Sequence, residues 1–251
     1  MSWLRLVHFV PIITTIVGSI FAAELYRHWR RKPAATYIMW WFLGVVTYVA
    51  GTTAESLTAL LGWQAPIFRG WYIVGALLGA APLAQGTVYL LLDRRIAHTL
   101  TVLLLTTVAI ASTFVILSPL DLTHISIAEG RLTGAVFEWK WVRRFSPFLN
   151  MYAAIFLIGG AIWSAFKYRK VEGARARVIG NIYIAVGTML PGIGGTATRY
   201  GYTEVLYVTE LVGLLLVWRG YRLMVRSNTT SMHSTQRALE DANISPVAAR
   251  A

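Results

Sequence analysis

The 251-residue sequence contains no cysteine and few charged residues, and both shortages restrict what the protein can be. Without cysteine there is no disulfide, no thiolate metal site, no CxxC haem attachment and no cysteine nucleophile. Only 14% of the residues are charged, against about 25% in soluble domains, while 56% are hydrophobic. The composition therefore predicts a polytopic membrane protein and not a soluble globular one.

Lysine is also scarce, and none of the four lysines lies deep in an apolar run: they are Lys32, Lys140, Lys167 and Lys170. A retinal Schiff base would need such a lysine and is excluded. The five histidines lack metal-binding spacing such as HExxH, so we expect no metal site, and we predict no cofactor. A lipid or another apolar ligand is compatible with the sequence. No motif of a known catalytic class is present, so an enzyme is disfavoured, and a lipid or carotenoid cyclase is a distant alternative.

Seven apolar runs are long enough to cross a bilayer, which requires about 20 residues per helix. They lie at about 7–26, 36–61, 68–92, 99–118, 147–166, 178–198 and 203–218. We therefore predict an all-α fold in which residues 1–226 form a seven-helix transmembrane domain. The polar remainder, 227–251, has no hydrophobic period and is expected to be a disordered cytoplasmic tail.

The distribution of Lys and Arg predicts the orientation of these helices. Most of them lie after the first, third, fifth and seventh runs. Because cytoplasmic loops collect positive charge, the N-terminus is predicted to be outside and the C-terminus inside a bacterial-type inner or plasma membrane. This topology also explains the net charge of +12, so nucleic acid is not expected as a partner. The expected partners are the lipid bilayer and a membrane or cytoplasmic protein that contacts the basic inner loops.

The fourth loop, about 119–146, is long and is predicted to face outside. Two β-prone segments flank Gly130, a pattern that predicts a small β-hairpin with glycine in its turn. Trp139 and Trp141 suit the headgroup layer of the membrane. The loop is therefore expected either to cover an outer cavity or to rest on the membrane surface.

Charged residues inside apolar runs are the strongest indication of a functional site, because they are costly there and usually face a cavity or a partner. Several polar residues fall at the predicted outer ends of helices two, three, six and seven. The candidate ligand-binding or proton-binding residues are Glu55, Arg69, Arg199, Glu204, Tyr207 and Glu210. The alternative is a buried salt-bridge network, such as Glu55–Arg69 or Arg199–Glu204, that only fixes helix packing. Glu24 is explained by a local pair with Arg27.

Two further features concern single helices. Pro191, with Gly192, Gly194 and Gly195, predicts a kink or an unwound segment in helix six that lines the same outer pocket. Gln85 in helix three is expected to bridge helices by hydrogen bonds.

A faint internal similarity relates residues 18–27 to residues 160–169. A duplication would give a 3+1+3 arrangement with helix four as the linker, as in sugar-exporter-like transporters. In architecture alone, the chain resembles the seven-helix sensor modules of some bacterial signalling proteins.

Our first hypothesis is a ligand-binding or sensory protein with a polar pocket in its outer half. The alternatives are a small proton-coupled 3+1+3 transporter, with Glu55 or Glu210 as the coupling carboxylate, and a non-catalytic accessory subunit of a larger membrane complex.

Overall fold

The computed structural model describes the chain over residues 7–124, 127, 129–171, 173–198 and 200–241, with the backbone alone for 227–241. These parts of the chain are mostly helical and contain no strand, which confirms the predicted all-α class. Six helices within them are long and apolar enough to cross a membrane. The protein is therefore a helical bundle of the kind that integral membrane proteins form.

Within the described residues, seven long helical segments follow one another, and we number them in that order. They are α1 Val10–Arg31, α2 Thr36–Leu61, α3 Ala65–Leu91, α4 Arg94–Leu117, α5 Lys140–Tyr168, α6 Arg175–Thr198 and α7 Thr203–Asp241. The first six are the candidate membrane spans.

The last helix, α7, differs from the prediction in length. It begins at Thr203, as expected, but Glu204 and Glu210 interrupt its apolar part, and it is not among the six candidate spans. A seventh span therefore stays a prediction. The helix also continues through residues 227–241, where a disordered tail was expected. Residues 236–240 are mostly good helix formers, whereas residues 227–235 are mostly not. Residues 242–251 lie outside the described chain.

Irregular helical backbone occurs in α3 and α5. Each contains a π-helical turn, Tyr72–Leu78 in α3 and Ala154–Gly159 in α5. The turn in α3 ends at Gly79, whose φ of +39° lies in a region that favours glycine.

The sixth helix, by contrast, remains α-helical through Pro191 and does not unwind there. The proline ring fits against Gly213 of α7: a Cβ atom added to Gly213 would lie 3.1 Å from Pro191 Cδ. The missing side chain of Gly213 thus leaves room for the proline ring between α6 and α7.

Six of the helices form a ring. Each of α1, α2, α3, α5, α6 and α7 packs against the next in that order, and α7 packs back on α1. The fourth helix lies outside this ring, against α3 and α5. It is the most apolar of the six candidate spans and the least buried, with side chains such as Val102 and Leu103 exposed. Such an outward apolar surface is typical of a helix that faces lipid.

Glycines bring the backbones of α6 and α7 together. A Cβ on Gly187 would lie 2.7 Å from the carbonyl oxygen of Gly213, and a Cβ on Gly220 would lie 2.5 Å from that of Gly180. The glycines of each helix are seven residues apart, so they recur on one face over two turns. We call these four residues the glycine seam. It makes α6 and α7 an intimately packed pair.

The α4–α5 connection packs onto the bundle without forming the predicted hairpin in its described part. An isolated bridge joins Leu120 to Phe137, and Gly134–Val136 is a 3-10 turn. Residues 125, 126 and 128 of the expected hairpin lie outside the described chain. Phe137 is fully buried, with its ring 5.0 Å from that of Phe68 and 4.8 Å from that of Tyr72. The apolar ring of Phe137 is thus buried by packing on α3, and not by strand pairing.

The two ends of the bundle differ in charge, and only one of them carries the long α4–α5 connection. We call the end that carries the α4–α5 connection the loop end. We call the opposite end, where Arg30 and Arg31 end α1 and Arg94 begins α4, the basic end. Which end faces the cytoplasm stays a prediction.

Candidate functional site

Two carboxyl groups meet inside the bundle, toward its loop end. Glu55 of α2 and Glu210 of α7 lie within hydrogen-bond reach of each other. Glu55 is only 3% exposed, and the Oε2 atom of each residue is buried without a donor. Two carboxylates offer acceptors alone, so a hydrogen bond between them requires a proton on one of them. We call these two residues the carboxyl pair.

The third helix supplies a donor to this pair. Trp71 donates its indole N–H to Glu55 Oε1 at 2.9 Å. It is the last residue before the π-helical turn, and α2 approaches that turn closely: a Cβ on Gly51 would lie 3.5 Å from Gly75 Cα. Glu55 follows Gly51 by one helical turn, so the close approach brings its carboxyl to the indole. Single π-helical turns occur frequently at functional sites.

Two tyrosines also lie beside the carboxyl pair. Tyr48 of α2 donates its hydroxyl to the backbone carbonyl of Glu210 at 2.9 Å, which joins α2 to α7 across the ring. Tyr207, one turn before Glu210, is buried and lies within electrostatic range of both carboxyl groups. The pair is therefore surrounded by aromatic side chains with polar tips.

A further polar contact lies nearer the surface. His8 Nε2 is 3.9 Å from Glu204 Oε1, and both side chains are partly exposed. The His8 ring is also 6.0 Å from the ring of Tyr207. Glu204, Tyr207 and Glu210 follow at intervals of three residues along α7, so that each neighbours the next on the helix surface. Polar groups thus follow one another from the surface at the loop end to the carboxyl pair.

Of the two predicted arginines, only Arg69 is described, and it does not join this group. Arg69 donates from Nη2 to the carbonyl of Ser118 at 2.9 Å, at the end of α4. A cation at a helix C-terminus is favoured by the helix dipole. Among the described residues it forms no ion pair, so the expected Glu55–Arg69 salt bridge is not present. Arg199 lies outside the described chain.

The glycines of the predicted kink differ in what surrounds them. Gly194 serves the contact with α7, since a Cβ there would lie 2.7 Å from Leu206 Cα. A Cβ on Gly192 or Gly195 would meet nothing within 4 Å. Pro191 packs against α7 as described above.

Two predictions about single polar residues have different outcomes. Gln85 does bridge helices: it is fully buried, donates to Thr101 of α4 at 2.8 Å and accepts from Tyr152 of α5. The prediction of a local pair between Glu24 and Arg27 is wrong. Glu24 accepts instead from Arg222 of α7 at 2.7 Å, because the neighbouring helix places a guanidinium on that face.

The ring also encloses a cavity of about 330 Å³. It lies toward the basic end, where its walls include His28, Arg177 and Tyr221, and the carboxyl pair is not among its lining residues. The predicted polar pocket and this cavity therefore occupy opposite halves of the bundle.

Three residues of the site were not predicted: Trp71, Tyr48 and His8. Trp71 and Tyr48 reach the site from a neighbouring helix, and the sequence does not give the rotation of one helix against another. His8 reaches it from the segment before α1. Trp71 lies two residues after Arg69 near the start of α3, which places it at the same end of the bundle as the other candidate residues.

Comparison with protein-family models, with curated proteins and with solved structures found no match. Within the described parts of the chain, no group of three His, Asp or Glu side chains is arranged to hold a metal ion.

Proposed function

We propose that the protein is a seven-helix membrane sensor in which the carboxyl pair binds a proton that arrives from the loop end. The observation that carries this proposal is the contact between Glu55 and Glu210, two carboxyl groups from different helices with no cation among their described contacts. Ionisable residues at membrane depth are expensive and commonly serve proton or ligand pathways. A pair held only for packing would be expected to include a counter-charge.

A proton suits this position better than a larger ligand. Glu55 is 3% exposed and Tyr207 is 7% exposed, and the two free carboxyl oxygens are buried. The site is thus closely packed around the two carboxyl groups. A proton needs no cavity, and it supplies the donor that these oxygens lack.

The protonation state of the carboxyl pair should control the contact between α2 and α7. With one proton shared, the carboxyl groups attract each other and hold the two helices together. Without it, two negative charges face each other, and at 4 Å they repel by about 4 kcal/mol for an effective dielectric constant of about 20. This repulsion favours separation of the helices at the loop end, and the change in packing would be the signal.

Distance measurement between α2 and α7 tests this proposal, and the chain suits it because it has no native cysteine. Spin labels can be attached to Leu61→Cys at the end of α2 and Tyr202→Cys before α7, where the native side chains are 62% and 63% exposed. In nanodiscs, pulsed electron paramagnetic resonance should show a longer distance at high pH than at low pH.

The variants Glu55→Gln and Glu210→Gln should remove this pH response, because an amide donates to the remaining carboxylate without a proton. Glu138→Gln changes an exposed carboxyl of the α4–α5 connection and should keep the response. A response that persists in both pair variants, or that is absent from the native background, would rule out the proposed sensor.

A proton-coupled 3+1+3 transporter is the second candidate. It is supported by the position of α4 outside a ring made of α1–α3 and α5–α7, with the cavity between these two groups of three helices. In proteoliposomes, a transporter should move substrate in response to a pH gradient, and both pair variants should lose this coupling. Helix movement without any flux would favour the sensor.

A further inference from the structure

The cavity toward the basic end is separate from the carboxyl pair, and its inner part is apolar. All six helices of the ring contribute to its wall. It extends along α5 from Leu157 to Tyr168, which is about 16 Å at 1.5 Å per residue. Leu83, Leu157 and Val217 line the part that lies deepest in the bundle. This part therefore suits an apolar body.

The cavity faces outward between α3 and α5, because these two helices part toward the basic end. Residues 145–159 of α5 pack on α3, whereas Gly160–Tyr168 packs mainly on α6. The helices still touch at Gly160, where a Cβ atom would lie 2.8 Å from Thr87 Cγ2. Thr87 and Leu90 of α3 and Ser164 of α5 line the cavity on the two sides of the separation. We call this separation the side opening.

Exposed apolar side chains surround the side opening on both helices. They include Leu90 and Leu91 of α3 and Trp163 and Phe166 of α5. Both helices are candidate membrane spans, and exposed side chains of this kind suit contact with lipid. A ligand that passes between them therefore comes from the hydrocarbon phase, which strongly favours an uncharged molecule.

Aromatic rings and one free hydroxyl lie inside the cavity. Trp41 and Tyr37 of α2 line it, with their rings in edge contact at 5.1 Å. Gly86 makes room for the indole, since a Cβ there would lie 2.6 Å from Trp41 Nε1. Among the described residues the hydroxyl of Tyr37 has no hydrogen-bond partner, whereas the neighbouring Tyr221 shares one of 2.5 Å with His28. The wall thus offers flat faces to a ring and a donor to an oxygen atom.

The guanidinium of Arg177, at the end of the cavity near the α5–α6 turn, is already engaged. It lies over the ring of Tyr168, with Cζ 5.2 Å from the ring centre, and it interacts with further neighbours. It therefore gives a ligand no unpaired charge to bind. Placing a charged group in the apolar part of the cavity would be costly without such a partner.

We propose that this cavity binds the ring of a membrane-soluble quinone, with a ring carbonyl at the hydroxyl of Tyr37 and any apolar tail passing through the side opening. A quinone ring is flat and uncharged, and its carbonyl oxygens accept hydrogen bonds, which matches the aromatic faces and the free donor. A volume of about 330 Å³ lies at the small end of the range for ligand pockets and suits one or two fused rings.

Binding of two uncharged probes to the purified protein in nanodiscs tests this proposal. Menadione, a two-ring quinone, is compared with 2-methylnaphthalene, which has the same rings without carbonyls. Isothermal titration calorimetry measures both, each corrected for its partition into empty nanodiscs. Menadione should bind saturably and about three- to tenfold tighter, since a hydrogen bond between neutral groups is worth about that factor. The chain has no cysteine that the quinone could alkylate.

A charged probe tests whether the ligand is uncharged and comes from the membrane. The compound 1,4-naphthoquinone-2-sulfonate has the same ring system and a permanent negative charge. It should bind about tenfold or more weakly than menadione, because the apolar part of the cavity and the lipid outside it disfavour the charge. Equal or tighter binding of the sulfonate would overturn the proposal in favour of an anion from the aqueous phase.

Matched tyrosine variants locate the carbonyl. Tyr37→Phe should weaken menadione binding about three- to tenfold and leave binding of 2-methylnaphthalene unchanged. Tyr26→Phe is the control, because Tyr26 is exposed near the same end and is not among the described lining residues. Equal effects of the two variants on menadione, or equal affinity of the native protein for the two uncharged probes, would overturn the proposal.

A filled cavity provides a test that does not depend on the hydrogen bond. Ser164→Phe places a ring beside the side opening and should abolish saturable binding of both uncharged probes. Ile162→Phe is the control, because Ile162 is exposed on α5 and is not among the described lining residues. Thermal unfolding without a probe shows whether both variants are folded. Undiminished binding to folded Ser164→Phe, or no saturable binding of menadione to the native protein, would show that the cavity is not a quinone site.

Discussion

Replacing Gly187 by alanine should force α6 and α7 apart at the glycine seam. The new Cβ atom would lie 2.7 Å from the carbonyl oxygen of Gly213, whereas the closest favourable carbon–oxygen contacts are about 3.3 Å. The helices must therefore separate by about 0.6 Å or distort, and overpacking of this kind costs about 1–3 kcal/mol. Gly213 follows Glu210 by one helical turn, so the displacement also reaches the carboxyl pair.

The same helix offers a control for this substitution. A Cβ on Gly192 would meet nothing within 4 Å, so Gly192→Ala adds the methyl group without a clash. Alanine is about 1 kcal/mol more favourable than glycine in a helix interior, and this gain applies to both variants. The difference between them therefore isolates the contact with α7.

Thermal unfolding in detergent measures that difference. At about 2–4 °C per kcal/mol for a chain of this size, Gly187→Ala should melt several degrees below Gly192→Ala. Equal melting temperatures would refute the claim that the glycine seam holds α6 and α7 at backbone contact.

Two further substitutions test contacts of α3. Gln85→Leu should lower the free energy of unfolding by about 1–2 kcal/mol, because it removes the acceptor of the buried Tyr152 hydroxyl. Thermal unfolding measures the loss, and a neutral result would contradict it. Arg69→Gln should cost about 1 kcal/mol and speed amide exchange near Ser118, where its bond to the end of α4 is lost. A change in the protonation of the carboxyl pair in this variant would instead place Arg69 in the site.

The helices could be predicted closely where the chain changes sharply from apolar to polar. The second was predicted at 36–61 and is found at Thr36–Leu61, since it ends at Gly62, which has a φ of +79°. The first was predicted to end at about residue 26 but continues to Arg31, through the block of basic residues before Pro33, which cannot continue a helix. These boundaries depend on local chemistry alone.

Boundaries that depend on tertiary packing were not predictable in the same way. The fifth helix was expected from about residue 147, but helical structure begins at Lys140, where Val142 is buried against the core. The α4–α5 connection has the alternation of a hairpin, yet burial of Phe137 against α3 decides its conformation. Such competition between local pattern and burial is visible only in the folded chain.

The candidate site could also be predicted only in part, because its contacts depend on tertiary packing. Glu55, Tyr207 and Glu210 could be selected because acids and their neighbours are rare in apolar runs. Their partners could not, since Trp71 reaches Glu55 only through the rotation of α3 against α2. For the same reason Glu24 was assigned to a neighbour in its own helix, and not to Arg222.

The protonation of the carboxyl pair is the most direct test of the central claim. Infrared spectroscopy of the protein in nanodiscs at neutral pH distinguishes a protonated carboxyl group from a carboxylate by its C=O stretching band. A shared proton predicts one such band that disappears in both Glu55→Gln and Glu210→Gln and remains in Glu138→Gln. A spectrum without this band, or a band that survives both pair variants, would contradict the proposal that Glu55 and Glu210 hold a proton between them.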